Sequence, residues 1–507
     1  MNTWYKRYQD PDGTRRSVLG LVYKDLATGI KYMEEFVDPK YTYYVADENH
    51  RVPYNRMFIP EEHTIPVTVP YEEIEKDIAK RIGMQDYYFD NIRSRNGYEN
   101  KRLHMHPDIF NSDSDIQDNI RFEFGRSYQN RACPLTMAFF DIEVDAINAA
   151  GDFPEPGECP VDAISIYFSD RQIMYSLLLE TEDNLEQISK FKEEALSGRI
   201  NQEYYDFVCN NLGGPEKMKK IGLENIKFAF AFYKPKDEIK MISDMFNLIN
   251  KFQPDFALAW NQAFDLPYLM ARCKMLGYDP KDIMCHPLSK HKFCDYYIDE
   301  RNKNDFAERG DFCVITGLTA YLDQMIHFAS RRKATRYTSY SLDAIAQLVA
   351  GVRKYDYKHI TTSLLKLSRL NYKVYAMYNM MDVVCQMAIE AKTQDMPYVH
   401  GKALMNNTRY QKVHRQTVYL ANRGIKEFRK AGFVFGNNVN KFSEKPKDRY
   451  PGAWVADPRQ LDNYSKMKMG PGVYIMCFQN LVDWDKPHNT RVFNPNTRGT
   501  NYCPLAA

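Results

Sequence analysis

The sequence lacks the features that mark membrane-spanning, secreted and disulfide-stabilised proteins. No apolar run in its 507 residues approaches the roughly 18 that a membrane-spanning helix needs. The first residues, MNTWYKRYQDPDGTRR, lack the apolar core of a signal peptide. The ten cysteines never form a CxxC pair, which argues against a zinc knuckle and a disulfide framework. We therefore expect a cytoplasmic protein with reduced thiols and no membrane partner.

Excess charge of one sign is also missing, because the net charge is only +2. A near-neutral total says little about partners, since a basic groove can lie within it. Basic residues cluster at four places: KMKK at 217–220, RRKATR at 331–336, RYQKVHR at 409–415 and RGIKEFRK at 423–430. Such clusters are more often solvated faces than binding sites. The 37 tyrosines and 29 phenylalanines are compatible with base stacking, although most should be core residues.

A chain of this length is too long for one hydrophobic core and should divide into domains. The predicted parts are 1–130, 131–394, 395–448 and 449–507. The first part contains turn-punctuated strands, including a hairpin around ATG in SVLGLVYKDLATGIKYMEEFV. In the second, strands such as DFALAW alternate with helical segments, and the last helix, LNYKVYAMYNMMDVVCQMAIEAKT, ends near residue 393. We predict an α/β fold with a mixed sheet and flanking helices, preceded by an N-terminal α+β domain.

Four acidic residues occur where a backbone element can present them inward. Asp141 and Glu143, in MAFFDIEVDA, are two residues apart on a strand and therefore share one face. Asp265 follows a buried strand at the start of a helix, and Asp382 lies four residues after Tyr378 on one helix face. Carboxylates from three elements suit two divalent cations, Mg²⁺ or Mn²⁺, which prefer oxygen ligands. Two such ions can clamp the attacking and leaving oxygens of a phosphoryl displacement.

Each of these residues also has an ordinary structural interpretation. A DxE triplet alone is usually a solvated strand edge. Asp265 could be a helix N-cap. Asp382 could pair with a buried arginine, and Tyr378 could be a core residue. Their joint occurrence, in this order and in these contexts, favours a metal site.

Three ordered stretches of the chain resemble the exonuclease motifs DxE, Nx2-3FD and YxxxD of family B DNA polymerases: DIE at 141–143, NQAFD at 261–265 and YNMMD at 378–382. The surrounding words AWNQAFDLPYLMAR, SYSLDAIAQ and GAWVADP are most similar to the bacteriophage branch of that family. The resemblance covers residues 130–460 well and the earlier part only in general character. It implies an RNase H-like (DnaQ-like) exonuclease domain that proofreads by 3′→5′ removal of nucleotides from a DNA end.

The resemblance also implies a role for each matching residue. Asp141, Glu143 and Asp265 would bind the pair of metal ions, and Asp382 would complete the metal site. Tyr378 would orient the attacking water or the scissile phosphate.

The substrate would be a single-stranded or frayed 3′ end of DNA. Asn261 and Phe264 would shape the pocket for its terminal nucleotides. The family's exonuclease domain carries a β-hairpin that helps to part the strands, and residues 292–317 are the candidate for it.

The polymerase motifs of the family are missing. Its first polymerase motif, an Asp followed by xxSLYPS, is represented by GVYIMCFQNLVDWDKPH, in which Gln479 stands where the metal-binding Asp belongs. Neither the fingers motif Kx3NSxYG nor the DTDS turn occurs. In the family, 395–448 would return to the N-terminal domain and 449–507 would begin the palm. We therefore expect no DNA synthesis from this chain alone.

Three explanations for the missing motifs are open. The chain could be one subunit of a split polymerase, whose palm, fingers and thumb lie on a second polypeptide. It could be a truncated product with a read-through tail after Phe478, or a standalone exonuclease. The segment YPGAWVADP resembles the opening of a palm, which a free nuclease has no obvious reason to keep. We therefore favour the split or truncated interpretation.

Two other function classes compete with a proofreading exonuclease. The N-terminal domain and the basic 395–448 segment could form a non-catalytic module that holds single-stranded DNA or RNA. Alternatively, the chain could be a different DnaQ-like nuclease that acts on RNA, since selectivity depends on contacts to the 2′-OH. The presence of all four carboxylates and Tyr378 favours catalysis, and the palm-like segment favours the polymerase lineage.

Overall fold

The computed structural model describes residues 1–93, 99–127, 133–151, 154–180, 185–302, 304–335 and 337–436. The strands are β1 (Asn2–Gln9), β2 (Arg15–Lys24), β3 (Lys31–Val37), β4 (Lys40–Ala46), β5 (Phe58–Pro60), β6 (Thr64–Pro70), β7 (Ile109–Phe110), β8 (Met137–Val144), β9 (Val161–Phe168), β10 (Ile173–Leu179), β11 (Lys227–Tyr233), β12 (Phe256–Ala259), β13 (Cys294–Tyr297), β14 (Phe312–Ile315), β15 (Ala320–Asp323) and β16 (Phe433–Phe435).

The helices are α1 (Ile74–Arg81), α2 (Gln85–Arg93), α3 (Ile116–Ser127), α4 (Leu185–Leu196), α5 (Arg199–Leu212), α6 (Pro215–Ile221), α7 (Glu238–Phe252), α8 (Gln262–Met275), α9 (Pro280–Met284), α10 (Gln324–Arg331), α11 (Leu342–Ala350), α12 (Leu364–Leu370), α13 (Tyr372–Thr393), α14 (Asp395–Asn406) and α15 (Gln416–Lys430). The predicted start of the palm at 449–507, with Gln479, and the end of the predicted return segment lie outside the described residues.

A six-stranded mixed sheet forms the centre of the α/β part, in the order β11-β10-β9-β8-β12-β15. β8 is antiparallel to β9 and parallel to β12, with Phe256 opposite Met137. β9 is antiparallel to β10, whereas the pairs β10–β11 and β12–β15 are parallel. β9 is buried along its whole length, which suits a strand that is covered on both faces. The predicted α/β fold with a mixed sheet is confirmed.

Helices cover both faces of this sheet. On one face, α4, α5, α6, α11 and α13 pack over a core that includes Phe139. On the other, α7, α8 and α9 pack over a core that includes Phe140. The alternation follows the two-residue period of a strand, so Asp141 and Glu143 lie on the face that carries α13. The predicted last helix is confirmed, since α13 ends at Thr393.

The first 127 residues contain two three-stranded antiparallel sheets, β1-β2-β3 and β6-β4-β7. The predicted hairpin around ATG is confirmed, because β2 and β3 pair from Val18 opposite Val37 to Lys24 opposite Lys31. Side chains of β2, β4, α1 and α3 share one apolar core. This region therefore has a core separate from the two that flank the central sheet.

After α13 the chain packs against this N-terminal region. Strand β16 pairs with β5, with Phe433 opposite Pro60. The guanidinium of Arg429 donates a hydrogen bond to the Tyr44 hydroxyl at 3.0 Å. Asn407 Nδ2 donates to the carbonyl oxygen of Asp118 at 2.9 Å. The segment after α13 is thus joined to the first strands of the chain by strand pairing and buried polar contacts.

An antiparallel hairpin formed by β13 and β14 lies within the segment 292–317 that was predicted to contain one. The rings of Tyr297 and Phe312 stack on it with their centroids 4.4 Å apart, and both are partly exposed. Over the described part of the chain, no helix combines the length and apolarity needed to cross a membrane. The eight cysteines among the described residues are free thiols.

Candidate active site

Two carboxylates of the site lie on β8. Asp141 and Glu143 are half-buried on the strand face that carries α13. β8 pairs with β9 from Ala138 to Val144 and with β12 from Met137 to Phe139, so both acids follow a stretch that is paired on both sides. The register shifts between Glu143 and Val144, where the strand ends. The strand therefore presents both acids from a rigid backbone at the end of the central sheet.

The third carboxylate, Asp382, comes from the middle of α13. This helix begins after Asn371, whose side chain caps it by accepting from the N–H of Val374. Asp382 is only 2% exposed. Carboxylate oxygens of Asp141, Glu143 and Asp382 all lie within 4.8 Å of one another, a group of three that is unique among the described residues. The predicted meeting of strand and helix acids is therefore observed.

Asp265 lies beside this group without belonging to it. It is buried in the first turn of α8, and the backbone N–H of Ile142 donates to its carboxylate. Its charge contributes to the raised pKa of Asp141, so the two groups are neighbours. The alternative that Asp265 is the N-cap of α8 is wrong, because Asn261 occupies the cap position.

Asn261 and Phe264 lie where α8 begins. Asn261 is exposed and makes no side-chain capping hydrogen bond. Phe264 is half-buried, with its ring centroid 5.4 Å from that of Tyr268. Both residues therefore lie just before the buried Asp265, where the helix starts.

Lys354 joins the site, although no sequence pattern pointed to it. Its ammonium Nζ lies 2.5 Å from Asp382 Oδ2 and 3.5 Å from the Tyr378 hydroxyl. The loop after α11 places it there, and its backbone N–H donates to Asp343 Oδ1 at 2.9 Å. A single lysine in a loop has no periodicity, so only the fold reveals this contact. Asp382 therefore has a basic partner, as the structural alternative supposed, but this partner is Lys354 and not a buried arginine.

Asn379 is a second contact that the sequence did not indicate. It is fully buried on α13, and its Nδ2 donates to Asp141 Oδ2 at 2.9 Å. An amide that donates to one carboxylate oxygen fixes the orientation of the other. Asn379 therefore orients Asp141 from the helix that also supplies Asp382.

The electrostatics of the site favour a cation. Burial raises the pKa values of Asp141 and Glu143 well above their usual range, and the nearby charge of Asp382 raises both further. Burial raises the pKa of Asp265 to about 8. Burial also raises the pKa of Asp382, against the opposing charge of Lys354. Four acids around one lysine leave negative charge that a divalent cation would neutralise.

An unpartnered oxygen tests whether the residues fit such an ion. Asp382 Oδ1 is buried and accepts no hydrogen bond from any described residue, while Oδ2 is held by Lys354. A buried carboxylate oxygen without a partner is costly unless a proton or metal satisfies it. Together with the neighbouring acids it forms an all-oxygen donor set, which Mg²⁺ and Mn²⁺ accept. The residues fit a divalent cation.

The class of protein follows from comparison with known families. The sequence model of the DNA polymerase family B exonuclease domain matches residues 87–345, which is about half of the chain. The chain therefore belongs to DNA polymerase family B, and the matched part is that family's exonuclease domain. This stretch contains Asp141, Glu143 and Asp265, whereas Asp382 lies beyond it.

Individual relatives come from bacteriophages. The DNA-directed DNA polymerase of Escherichia phage RB69 is 27% identical over 342 residues, which are 64% of this chain and 32% of that protein. The DNA-directed DNA polymerase of Enterobacteria phage T4 is 28% identical over 264 residues, or 50% of this chain and 25% of that protein. The matches span about a third or less of these relatives. The predicted resemblance to the phage branch is confirmed.

Proposed function

We propose that the chain is a 3′→5′ exodeoxyribonuclease with an RNase H-like catalytic domain, which proofreads DNA ends. The observation that supports this most directly is the meeting of Asp141, Glu143 and Asp382, whose carboxylate oxygens lie within 4.8 Å of one another. The unpartnered Oδ1 of Asp382 and the neighbouring Asp265 add to the same donor set. Family membership supplies the reaction class, and the geometry supplies the residues that would perform it.

In this proposal Asp141, Glu143 and Asp382 hold two divalent cations, with Asp265 as a further ligand. The bound cations would neutralise the phosphodiester and lower the pKa of the attacking water.

The protein's other groups orient these acids and the substrate. Lys354 fixes Asp382, and Asn379 fixes Asp141. Burial raises the pKa of Tyr378, so its hydroxyl remains a hydrogen-bond donor toward the attacking water or the scissile phosphate.

The substrate side of the site would read a nucleic-acid backbone at a frayed end. Asn261 and Phe264 flank Asp265 and would contact the 3′-terminal nucleotides. The β13–β14 hairpin, with its partly exposed stacked pair, would help to part the strands. Because such contacts ignore base identity, sequence preference should be slight and salt dependence marked.

The domain boundaries complete the proposal. We assign 1–130 to the N-terminal domain, 131–394 to the exonuclease domain and 395–448 to a segment that returns to the N-terminal domain. The contacts of β16 and Arg429 with the first strands support that return. The start of a palm at 449–507 and a second polypeptide with palm, fingers and thumb both stay predictions.

Two alternatives remain to be tested against this proposal. A subunit that only binds single strands has no use for a buried carboxylate oxygen kept free of partners, so the site geometry disfavours it. A DnaQ-like nuclease acting on RNA would use the same carboxylates and differ only in contacts to the 2′-OH.

The test uses the whole chain with Mg²⁺ and a 5′-labelled DNA oligonucleotide that carries a mismatched 3′ end. A ladder of shortened products that disappears with a chelator is expected. Matched RNA should be degraded more slowly, and faster degradation of RNA would favour the alternative nuclease. No degradation by protein shown to be folded would reject catalysis by this chain.

A further inference from the structure

Two basic stretches, which the sequence alone describes as solvated faces, meet at one cavity in the fold. Arg331 is the last residue of α10 and Lys333 follows it, whereas His414 lies in the basic cluster before α15. Together with Lys402 of α14 they line a cavity of about 300 Å³. No Asp or Glu lines it. We call this cavity the basic cleft.

Aromatic rings stand beside the cations of the basic cleft. The ammonium of Lys402 lies 4.0 Å from the ring centroid of Tyr419 and 5.7 Å from that of Tyr398. The guanidinium of Arg331 lies 4.5 Å from the Tyr398 ring. Cations over ring faces hold the rings in place and leave planar surfaces beside positive charge. This combination is typical of sites that bind a phosphate and stack a base.

The positive charge of the cleft is only partly balanced. Arg331 pairs with Asp395 at 2.8 Å, and Lys333 pairs with Glu308 at 2.6 Å. No carboxylate among the described residues forms an ion pair with Lys402. Burial lowers the pKa of Lys402, and the charge of Lys333 lowers it further. The cleft therefore holds a cation that is repelled by its neighbour and has no counter-ion from the described chain.

A buried histidine supplies independent evidence of a missing ligand. His414 is 8% exposed, and neither ring nitrogen has a hydrogen-bond partner among the described residues. Burial lowers its pKa to about 3, and the nearby charges of His327, Arg415, Lys333 and Lys402 oppose its protonation as well. A buried donor that lacks a partner is costly, and an anionic acceptor would satisfy it.

We propose that the basic cleft binds a nucleotide unit, with its phosphate among Lys402, Lys333 and His414 and its base against Tyr398 or Tyr419. The cavity volume lies at the lower end of the range of ligand pockets. The unit could belong to a single-stranded nucleic acid or be a free nucleotide, since both present the same phosphate and base. The cleft shares no residue with the carboxylate site, so this proposal does not depend on the exonuclease being active.

The experiment measures binding by the whole chain in the presence of a chelator, which prevents hydrolysis. The probes are a fluorescent 12-nucleotide oligothymidylate and dTMP, each titrated at several salt concentrations. The variants are Lys402→Gln and the double variant Lys333→Gln/Lys402→Gln. Lys251→Gln is the matched control, because Lys251 of α7 is a lysine that also lies near an aromatic ring, with its ammonium 5.6 Å from the centroid of Phe252.

For whichever probe the wild type binds, Lys402→Gln should weaken the affinity about threefold to tenfold, and the double variant should weaken it further. For the strand, each lost phosphate contact should reduce the slope of log affinity against log salt by about 0.7. Loss confined to the oligonucleotide identifies a strand site, and loss of dTMP binding as well identifies a nucleotide pocket. Wild-type affinities and slopes in both variants, with melting temperatures unchanged, would overturn the proposal.

A direct measurement locates the strand. An oligonucleotide containing 5-iododeoxyuridine, irradiated on the wild-type protein, should crosslink to peptides that contain Tyr398 or Tyr419. Crosslinks found only on α8 and α13 peptides would place the bound strand at the carboxylate site and contradict the proposal.

Discussion

The carboxylate site gathers acidic side chains and the basic cleft gathers basic ones. The two clusters differ in how rigidly the fold holds them. In the carboxylate site three acids converge within 4.8 Å on β8 and α13, both part of the central core. In the basic cleft the cations surround a cavity of about 300 Å³ and come from the end of α10, from α14 and from two loops. One cluster is built for a small ion and the other for a larger, less closely held anion.

This difference also appears in the partners that each cluster already has. Asp382 and Asp141 each have one oxygen fixed by a neighbour, the partly buried Lys354 or the buried Asn379. In the cleft, Lys402 lies over the rings of Tyr398 and Tyr419 and forms no ion pair with a described residue. Substitutions at the carboxylate site should therefore cause larger and more specific losses than substitutions in the cleft.

The largest effect is expected from Asp141→Ala. Removing a carboxylate that holds a cation should cost several kcal/mol of transition-state stabilisation, or at least about a thousandfold in the rate of hydrolysis. The initial rate on 5′-labelled DNA with Mg²⁺ measures it. Asp170→Ala is the matched control, because Asp170 lies in the turn after β9 of the same sheet and pairs with Arg171. Near-normal hydrolysis by Asp141→Ala would remove the carboxylate site from the mechanism.

Lys354→Met should have the next largest effect. Without Lys354, Asp382 Oδ2 loses its partner and the carboxylate can rotate, which should reduce activity about tenfold to a hundredfold. The Mg²⁺ concentration for half-maximal activity should rise, a change that a purely structural lysine would not cause. Lys373→Met is the control, because this lysine of α13 pairs with Glu194 and Glu203 instead. Equal losses in the two variants would contradict the orienting role.

The free energy of unfolding should depend on pH through His414 of the basic cleft. The pKa of His414 is lowered from the usual 6.5 to about 3, so the folded protein binds fewer protons than the unfolded chain between these values. The contribution of the neutral histidine is complete above pH 6.5 and is lost as pH falls. The stability advantage of the wild type over His414→Gln should therefore shrink by about 2 kcal/mol between pH 7.5 and pH 5.

Urea unfolding with a chelator, at both pH values, measures this difference. His63→Gln is the control, because His63 is partly exposed at the surface of the N-terminal region. A pH-independent difference between the wild type and His414→Gln would mean that His414 is not buried as a neutral ring among cations.

The smallest effect in this series is that of Lys402→Gln, for which only a few-fold loss of strand affinity is expected. The comparison of the two clusters becomes quantitative when this loss of affinity is set against the effect of Asp141→Ala. If both substitutions weakened strand binding equally under chelating conditions, the two clusters would act as one continuous site.

The sequence predicts the carboxylate site well because local periodicity carries it. A period of two places Asp141 and Glu143 on one strand face, and a spacing of four places Tyr378 and Asp382 on one helix face. Lys354 could not be predicted, because a loop delivers it and loops have no period. The basic cleft was missed for a similar reason, since Lys333 and His414 meet only through the packing of α10 against α14. Tertiary contacts of this kind leave no local pattern.

The pairing of β5 with β16 has a consequence for how the protein is made. Phe433 lies opposite Pro60, so about 370 residues must be translated before the early strand finds its partner. At roughly 5 to 20 residues per second this interval is on the order of 20 to 75 s. The intervening α/β segment can fold while β5 still has an unpaired edge. A nascent chain stalled before residue 430 would expose that edge, which makes the ribosome-bound intermediate a candidate for chaperone binding.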